Sequence, residues 1–138
     1  MGVLVIYWET DSVGDYGRED QLNSNELARK IVEIIEEKQA ADIVLLDVSD
    51  QTSIATYFVL GSVDNERQAN AIRDDLWEQL QVEQKTRPLN VHDLRQEGGG
   101  WLLADYGDVI LHLFTEETRR RYDLEGLWRD AHVVMKIL

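Results

Sequence analysis

Apolar residues recur along the chain at two spacings, and these spacings predict alternating helices and strands. The first helical spacing places apolar side chains on one face, with charged residues between them, at Leu27, Ile31, Ile34 and Ile35. Asn23 and Glu26 stand three residues apart, which is the spacing of a capping box at a helix start. The pattern therefore predicts a helix from about Ser24 to Lys38.

Two continuous apolar runs follow, at residues 42–48 and 57–61. Such runs are typical of strands that are covered on both faces, so we expect two central strands. A second helix is predicted after Asp64, which can act as its cap, and it ends before Pro88. Its apolar face consists of Ala69, Ile72, Leu76 and Leu80. Leu89 and Val91 indicate a shorter strand near a sheet edge, and residues 98–100 form a glycine-rich approach to the next segment.

Residues 101–114 predict a β-hairpin, because two apolar runs flank a short acidic turn. A two-residue turn at Tyr106 and Gly107 would place Asp105 opposite Asp108, since paired residues project from the same side of a hairpin. One face then carries Trp101, Leu103, Asp105, Asp108, Ile110, His112 and Phe114. The opposite face is entirely apolar and is expected in the core, with Leu102, Ala104, Val109, Leu111 and Leu113. The first face mixes aromatic, acidic and histidine side chains, which is unusual for a fully buried surface.

Short helices are expected at the end of the chain, from the charged run Glu116 to Arg121 and from an apolar face at Leu124, Leu127, Trp128 and Ala131. The whole order predicts an α/β fold in which a mixed β-sheet carries helices packed on it. We expect one such domain over residues 23–138. Residues 1–22 contain a short strand-like run and a polar stretch, and we expect them to form an appendage outside the core.

Charge and composition narrow the function. The 138 residues carry 14 Lys and Arg against 27 Asp and Glu, a net charge of −13, which disfavours binding to a nucleic-acid backbone and favours a basic partner. There is no cysteine, so thiol chemistry is excluded. The absence of disulfides is consistent with a protein of a reducing compartment. Neither a secretory signal nor a run of about 20 apolar residues is present, and we expect a cytoplasmic protein.

Enzymatic chemistry finds weak support in the sequence. The three histidines are far apart and form no metal-ligand spacing, and no nucleophile motif or phosphate-binding loop is present. The Leu60-Gly61-Ser62 turn is similar to that of nucleotidyltransferases. However, Asp64 and Glu66 follow immediately, at the predicted start of a helix. Acidic residues are favoured there by the helix dipole, so their presence does not require a catalytic role. We therefore expect no cofactor, no metal and no catalysis.

The hairpin and the segment behind it carry an extended motif, Trp-x-x-x-Asp-Tyr-Gly-Asp-x-x-x-His-x-Phe followed by Tyr-x-Leu-Glu-x-Leu-Trp, at residues 101–114 and 122–128. With Tyr57-Phe58-Val59 and Glu66-Arg67-Gln68, these residues resemble the ribosomal silencing factor RsfS, or Iojap, family. The resemblance covers about Leu27 to Ala131. Ala104 departs from the leucine that relatives more often have there, and the 62–65 turn also differs.

The resemblance implies a fold similar to that of nucleotidyltransferases but without their catalytic acids, and usually a homodimer. It also implies binding to the large ribosomal subunit through ribosomal protein L-fourteen, which blocks joining with the small subunit and represses translation. Organelle relatives assist large-subunit assembly. The partner-binding residues that it implies are Trp101, Leu103, Asp105, Tyr106, Asp108, His112, Tyr122, Leu127 and Trp128.

Several alternatives remain open at this point. Phe114 and Leu124 match the motif but are better explained as core residues, and Trp128 fits either role. His112 is expected to satisfy a local hydrogen bond. A divergent metal-dependent nucleotidyltransferase and a purely structural acidic assembly module are the competing functions.

Overall fold

A mixed β-sheet forms the centre of the computed structural model, which describes residues 5–7, 22–83, 86, 90–93 and 100–138. Within these residues the strands are β1 (Val5–Tyr7), β2 (Ala41–Asp47), β3 (Tyr57–Val63), β4 (Asn90–Asp93), β5 (Trp101–Asp105), β6 (Val109–Thr115) and β7 (His132–Ile137). The helices are α1 (Ser24–Glu37), α2 (Glu66–Leu76), α3 (Glu116–Tyr122) and α4 (Leu124–Leu127). A π-helical segment, Trp77–Glu83, continues α2. The predicted glycine-rich residues 98 and 99, Leu89 and the helix end before Pro88 lie outside the described residues.

The strands follow the order β1-β7-β2-β3-β6-β5-β4 in the described part of the sheet. Strands β3 and β6 are parallel, and every other neighbouring pair is antiparallel. The prediction of a mixed sheet with helices packed on it is confirmed. The two continuous apolar runs are indeed central strands, because β2 and β3 each have a neighbour on both sides and β3 is buried along its whole length.

Side-chain caps fix where the two longer helices begin. The predicted capping box of α1 is present: the Asn23 side chain accepts from the Glu26 N–H (2.8 Å), and Glu26 accepts from the Asn23 N–H (3.4 Å). For α2 the prediction was wrong by one residue, since the cap is Asn65, whose side chain accepts from the Gln68 N–H (2.9 Å). Asp64 stands four residues before Gln68, and its backbone N–H donates instead to the Gln68 side-chain oxygen (2.7 Å).

Each face of the sheet packs against its own apolar core. The first core lies under α1 and α2 and includes Ile31, Ile35, Ile72, Leu102, Ala104, Val109, Leu111 and Leu113. The second core lies on the opposite face and includes Val44, Leu46, Phe58, Leu60, Ile110, Phe114 and Leu124. The predicted separation of the hairpin side chains between two faces is therefore confirmed.

The hairpin turn differs from the prediction. Asp105 pairs with Ile110, Leu103 with His112 and Trp101 with Phe114. The Tyr106 N–H donates to the Val109 carbonyl (2.8 Å), so the loop is formed by Gly107 and Asp108. Gly107 has a φ of 91°, a conformation that glycine adopts without strain at this position of a tight turn. The register is shifted by two residues, and an even shift leaves every side chain within the two strands on its predicted face, whereas Asp108 moves into the loop.

Two strands near the chain ends complete one border of the described sheet. β7 pairs with β2 and also with β1, where Val5 lies opposite Ile137. The helical pattern at the end of the chain did not predict β7. Residues 5–7 agree with the strand-like run expected there, and the division of the chain at residue 22 stays a prediction.

Candidate functional site

Aromatic rings form a continuous cluster on the second face of the sheet. Trp101 on β5 contacts Phe114 on β6 (ring centroids 5.7 Å apart), Tyr122 at the end of α3 (4.8 Å) and His112 (5.9 Å). Phe58 on β3 meets the His112 ring and the Trp128 ring edge-on, each at 5.0 Å. These geometries are the favoured ones for aromatic pairs, so the rings fix one another across three strands and the chain's last helices.

The cluster runs from the core to the protein surface. Phe114 is fully buried, whereas Trp101, Leu103 and Trp128 are only partly buried against the second core. Tyr122 is 48% exposed, and Leu127 is 73% exposed. We call the half-buried and exposed members the α4 surface: Trp101, Leu103, Tyr122, Leu127 and Trp128. A surface of aromatic and leucine side chains that rests on a rigid sheet is suited to bind another protein.

His112 lies beneath this surface and is 5% exposed. Neither of its ring nitrogens has a hydrogen-bond partner among the described residues, and the same holds for the Trp101 indole nitrogen. The expectation of a local hydrogen bond to His112 was therefore wrong. Burial lowers the pKa of His112 to about 4, because a charged imidazolium would lose its hydration there. His112 is thus a neutral packing residue at physiological pH.

The two aspartates of the hairpin do not face each other, contrary to the prediction. The Asp105 carboxylate accepts from the Gly107 N–H (2.7 Å) and shapes the turn. The exposed Asp108 carboxylate accepts from the Ser24 hydroxyl (2.9 Å) at the start of α1. The two-residue shift in register separates them, and each acid has its own structural partner.

Tyr106 lies apart from the α4 surface. Its side chain packs against the first core, on the α2 side of the sheet, and burial raises its pKa to about 12. The structure therefore joins Trp101, Tyr122 and Trp128 through the rings of His112 and Phe58, with Leu103 packed on the same core and Leu127 next to Trp128 in the chain. Asp105, Tyr106 and Asp108 belong instead to the turn region.

Arg119 is a residue of this site that the sequence patterns did not reveal. It is 8% exposed, its side chain forms two hydrogen bonds with Glu125 (2.7 and 3.1 Å), and it donates to the Ser62 hydroxyl (2.8 Å). Its guanidinium also lies over the Phe114 ring, 5.6 Å from the centroid. Three consecutive arginines gave no indication of which one is buried, because that depends on how α3 meets the sheet.

Groups with metal-binding potential are dispersed in the described part of the chain, where no three His, Asp or Glu residues converge. Asp64 and Glu66, which follow the turn similar to that of nucleotidyltransferases, are both exposed at the start of α2. Among the helices that the structure describes, none combines the length and the apolar character that crossing a membrane requires.

A mixed β-sheet with α1 and α2 on one face and a partly exposed aromatic surface beside α4 on the other defines a single-domain α/β protein. Comparison with known proteins identifies it further, since the model of the family "Ribosomal silencing factor during starvation" (RsfS) matches residues 21–137. The chain belongs to the ribosomal silencing factor family, as the motif predicted.

Curated relatives agree with this assignment. The chain is 32% identical over 116 residues to the ribosomal silencing factor RsfS of Halalkalibacterium halodurans, which covers 82% of this chain and 94% of the relative. It is 29% identical over 98 residues to the mouse protein named mitochondrial assembly of ribosomal large subunit protein 1, covering 71% of this chain and 43% of that protein.

Solved structures agree as well. A crystal structure of a protein from Chromobacterium violaceum has a TM-score of 0.66 and 29% identity, covering 78% of this chain and 87% of that one. A second structure, from Bacillus halodurans, has a TM-score of 0.64 and 28% identity, covering 76% of this chain and 95% of that one. Family membership supports a regulatory role as a ribosomal silencing factor.

Proposed function

We propose that the chain binds the large ribosomal subunit through ribosomal protein L-fourteen and sterically blocks joining with the small subunit, which represses translation. The α4 surface is the observation that supports a docking role. Leu127 is 73% exposed although it lies within the stretch that the family model matches. Tryptophan and tyrosine, which the α4 surface carries at Trp101, Tyr122 and Trp128, are enriched in the energetically dominant regions of interfaces, and Leu127 adds exposed apolar area next to Trp128 in the chain.

Charge supports the same proposal. With a net charge of −13, the protein attracts a basic partner over distance, and ribosomal proteins in contact with RNA are basic as a rule. We assign the binding energy to the α4 surface and the long-range attraction to the acidic remainder of the molecule. Asp105, Tyr106, Asp108 and His112 then act indirectly, by shaping the hairpin that carries Trp101 and Leu103.

Co-sedimentation with purified large subunits, small subunits and joined ribosomes tests the proposal. The variant Leu127→Asp places a charge in the α4 surface, and Ile54→Asp is the matched control, because Ile54 is similarly exposed (66%) in the β2–β3 loop. We expect wild type and Ile54→Asp to bind free large subunits and to inhibit joining. Leu127→Asp should bind at least about tenfold more weakly, the equivalent of about 1.4 kcal/mol.

Two results would contradict the proposal. If folded wild-type protein does not bind the large subunit, the proposed silencing role is wrong. Titrations with nucleotides and metal ions would then test the competing nucleotidyltransferase function. Undiminished binding by Leu127→Asp would move the contact away from the α4 surface. To identify the partner protein, isolated L-fourteen should compete with the subunit for wild type and for Ile54→Asp alike.

We propose further that the protein acts in the cytoplasm as a homodimer. Trp77 is 55% exposed at the start of the π-helical segment, and beside it lies a groove of about 240 Å³ whose lining includes Leu76, Leu102 and Tyr106. This apolar area lies on the sheet face away from Leu127 and supports a second contact surface there. Sedimentation velocity should show a dimer for wild type and a monomer for Trp77→Ser. A monomeric wild type would contradict this part.

A further inference from the structure

The position of the exposed Leu127 side chain depends on α4, and α4 is a single turn of four residues. Helices this short are unstable by themselves, because one turn forms too few hydrogen bonds to offset the entropy of ordering it. Contacts with the rest of the protein must therefore fix α4. Two of these are apolar, since Leu124 is buried in the second core and Trp128 packs edge-on against Phe58.

A cap supplies the local order of α4. Asp123 adopts a left-handed conformation (φ 46°), and its carboxylate accepts from the Gly126 N–H (3.1 Å). The Leu127 and Trp128 amides then donate to the Asp123 and Leu124 carbonyls (3.1 and 2.9 Å). These bonds form the turn but leave its orientation relative to the sheet undetermined, because all of them lie within residues 123–128.

Arg119 provides the connection between α4 and the sheet. Glu125 is the α4 residue whose side chain it holds, and Ser62 is the β3 residue that it reaches. Among the described residues, Arg119 thus links the side chain of Glu125 on α4 to the side chain of Ser62 on β3 through hydrogen bonds. The planar guanidinium is suited to it, because one edge pairs with both carboxylate oxygens, another nitrogen reaches the hydroxyl, and the face covers the Phe114 ring.

We infer that Arg119 is a positioning residue for partner binding: its bridge from Glu125 to Ser62 holds α4 in the orientation in which Leu127 meets the partner. The inference rests on the proposed function. The ion pair is buried on the Arg119 side only, since the Glu125 side chain is 44% exposed. Such a pair contributes little net stability, because solvent weakens the attraction at Glu125 and dehydration of Arg119 opposes it, whereas it can specify one arrangement over others. The bridge is therefore expected to matter more for binding than for global folding.

Two variants separate positioning from folding. Glu125→Gln is the milder one, because the Glu125 side chain is 44% exposed and glutamine retains its size. Arg119→Lys retains the charge but loses the two-pronged geometry. Glu117→Gln is the matched control: it removes the same charge and breaks the neighbouring pair with Arg121 (3.5 Å), in which both side chains are largely exposed.

Each variant is measured for affinity to the large subunit and for amide hydrogen exchange. We expect both bridge variants to bind about tenfold more weakly or worse, and the Leu127 and Trp128 amides to exchange about tenfold faster while the β3 and β6 amides keep their protection. Glu117→Gln should match wild type in both measurements.

Wild-type affinity in Glu125→Gln would overturn the inference, and so would faster exchange spread evenly over the sheet, which would indicate a global stability effect. If wild type itself fails to bind, the proposed function is overturned. The exchange comparison then decides the bridge separately: unchanged exchange at Leu127 and Trp128 in both variants rejects its role in fixing α4.

Discussion

His112 combines deep burial with a lack of hydrogen-bond partners among the described residues, and this has a consequence for stability against pH. Its pKa is about 4 in the folded protein and 6.5 in an unfolded chain. Between these values the unfolded state binds the proton and the folded state does not. The neutral His112 side chain therefore makes its full contribution to the free energy of unfolding above pH 6.5. This contribution, about 3 kcal/mol in total, is lost as the pH falls toward 4.

The variant His112→Phe should remove this part of the pH dependence, because phenylalanine packs among Trp101, Phe58 and Phe114 without a titrating group. Urea denaturation at pH 7.5 and at pH 4.5 measures the free energy of unfolding of both proteins. We expect the variant to gain about 2.5 kcal/mol relative to wild type on acidification. Equal losses in the two proteins would show that the imidazole does not resist protonation.

At the scale of single residues, the sequence placed side chains on the correct face but did not give their bonding. Alternation along the hairpin was sufficient to separate Trp101 and Leu103 from Leu102 and Ala104. The partners of Arg119 depend on Ser62, 57 residues earlier in the chain, so no local pattern could reveal them.

Helix ends provide a test at the scale of elements, since two adjacent residues compete for the cap of α2. Asn65→Ala removes the acceptor of the Gln68 N–H and should destabilise the protein by about 1 kcal/mol. Asp64→Ala, the control, should change the free energy of unfolding by less than about 0.5 kcal/mol, as for an exposed substitution. Chemical denaturation compares them, and the reverse order would contradict the assigned cap.

Gly126 provides a second test, in α4. A Cβ atom at this position would collide with the Asp123 carboxylate, which caps the turn. Although alanine normally favours helix, Gly126→Ala should displace the cap and weaken large-subunit binding severalfold, with a cost of about 1 kcal/mol in unfolding free energy. Binding and thermal denaturation, measured side by side, test both expectations. A more stable variant with wild-type affinity would show that the cap is dispensable.

Element prediction succeeded where the apolar pattern was regular and failed where it was irregular. The α1 pattern runs over four turns and carries its own cap, so its start was correct. β7 has only six residues, and its pattern of exposed and buried positions is irregular, with a register shift against β2. This segment forms a strand because it pairs with the edge of β2 that β3 leaves free, and that edge exists only in the folded sheet.

At the scale of the whole molecule, the charge of −13 predicts how association responds to salt. The association rate with large subunits should fall as ionic strength rises, because screening reduces the attraction to a basic partner, while the dissociation rate should change little. Stopped-flow or surface-based kinetics at about 50 and 300 mM salt measure both rates, the Debye length falling from roughly 14 to 6 Å. If the association rate does not depend on salt, the excess of acidic residues does not attract the partner and contributes to solubility alone.

The global fold class followed from the order of helical and strand patterns, whereas the strand order did not. The sequence could not indicate that β3 and β6 lie side by side and parallel with α2, β4 and β5 between them in the chain. That arrangement depends on packing both cores at once. The α4 surface was predicted as a set of residues, and its separation from the hairpin acids required the turn geometry.

The place of β7 in the sheet has a consequence for synthesis. β2 has β3 on one side, but its other neighbour begins at residue 132, about 85 residues after β2 ends. Until that strand has left the ribosomal tunnel, a nascent chain carries β2 with one unpaired hydrogen-bonding edge. Unpaired edges favour aggregation, and contacts between distant segments slow folding. We therefore expect completion of the fold to be a late event, so that pauses before residue 132 would leave the growing chain exposed to misassembly and dependent on chaperones.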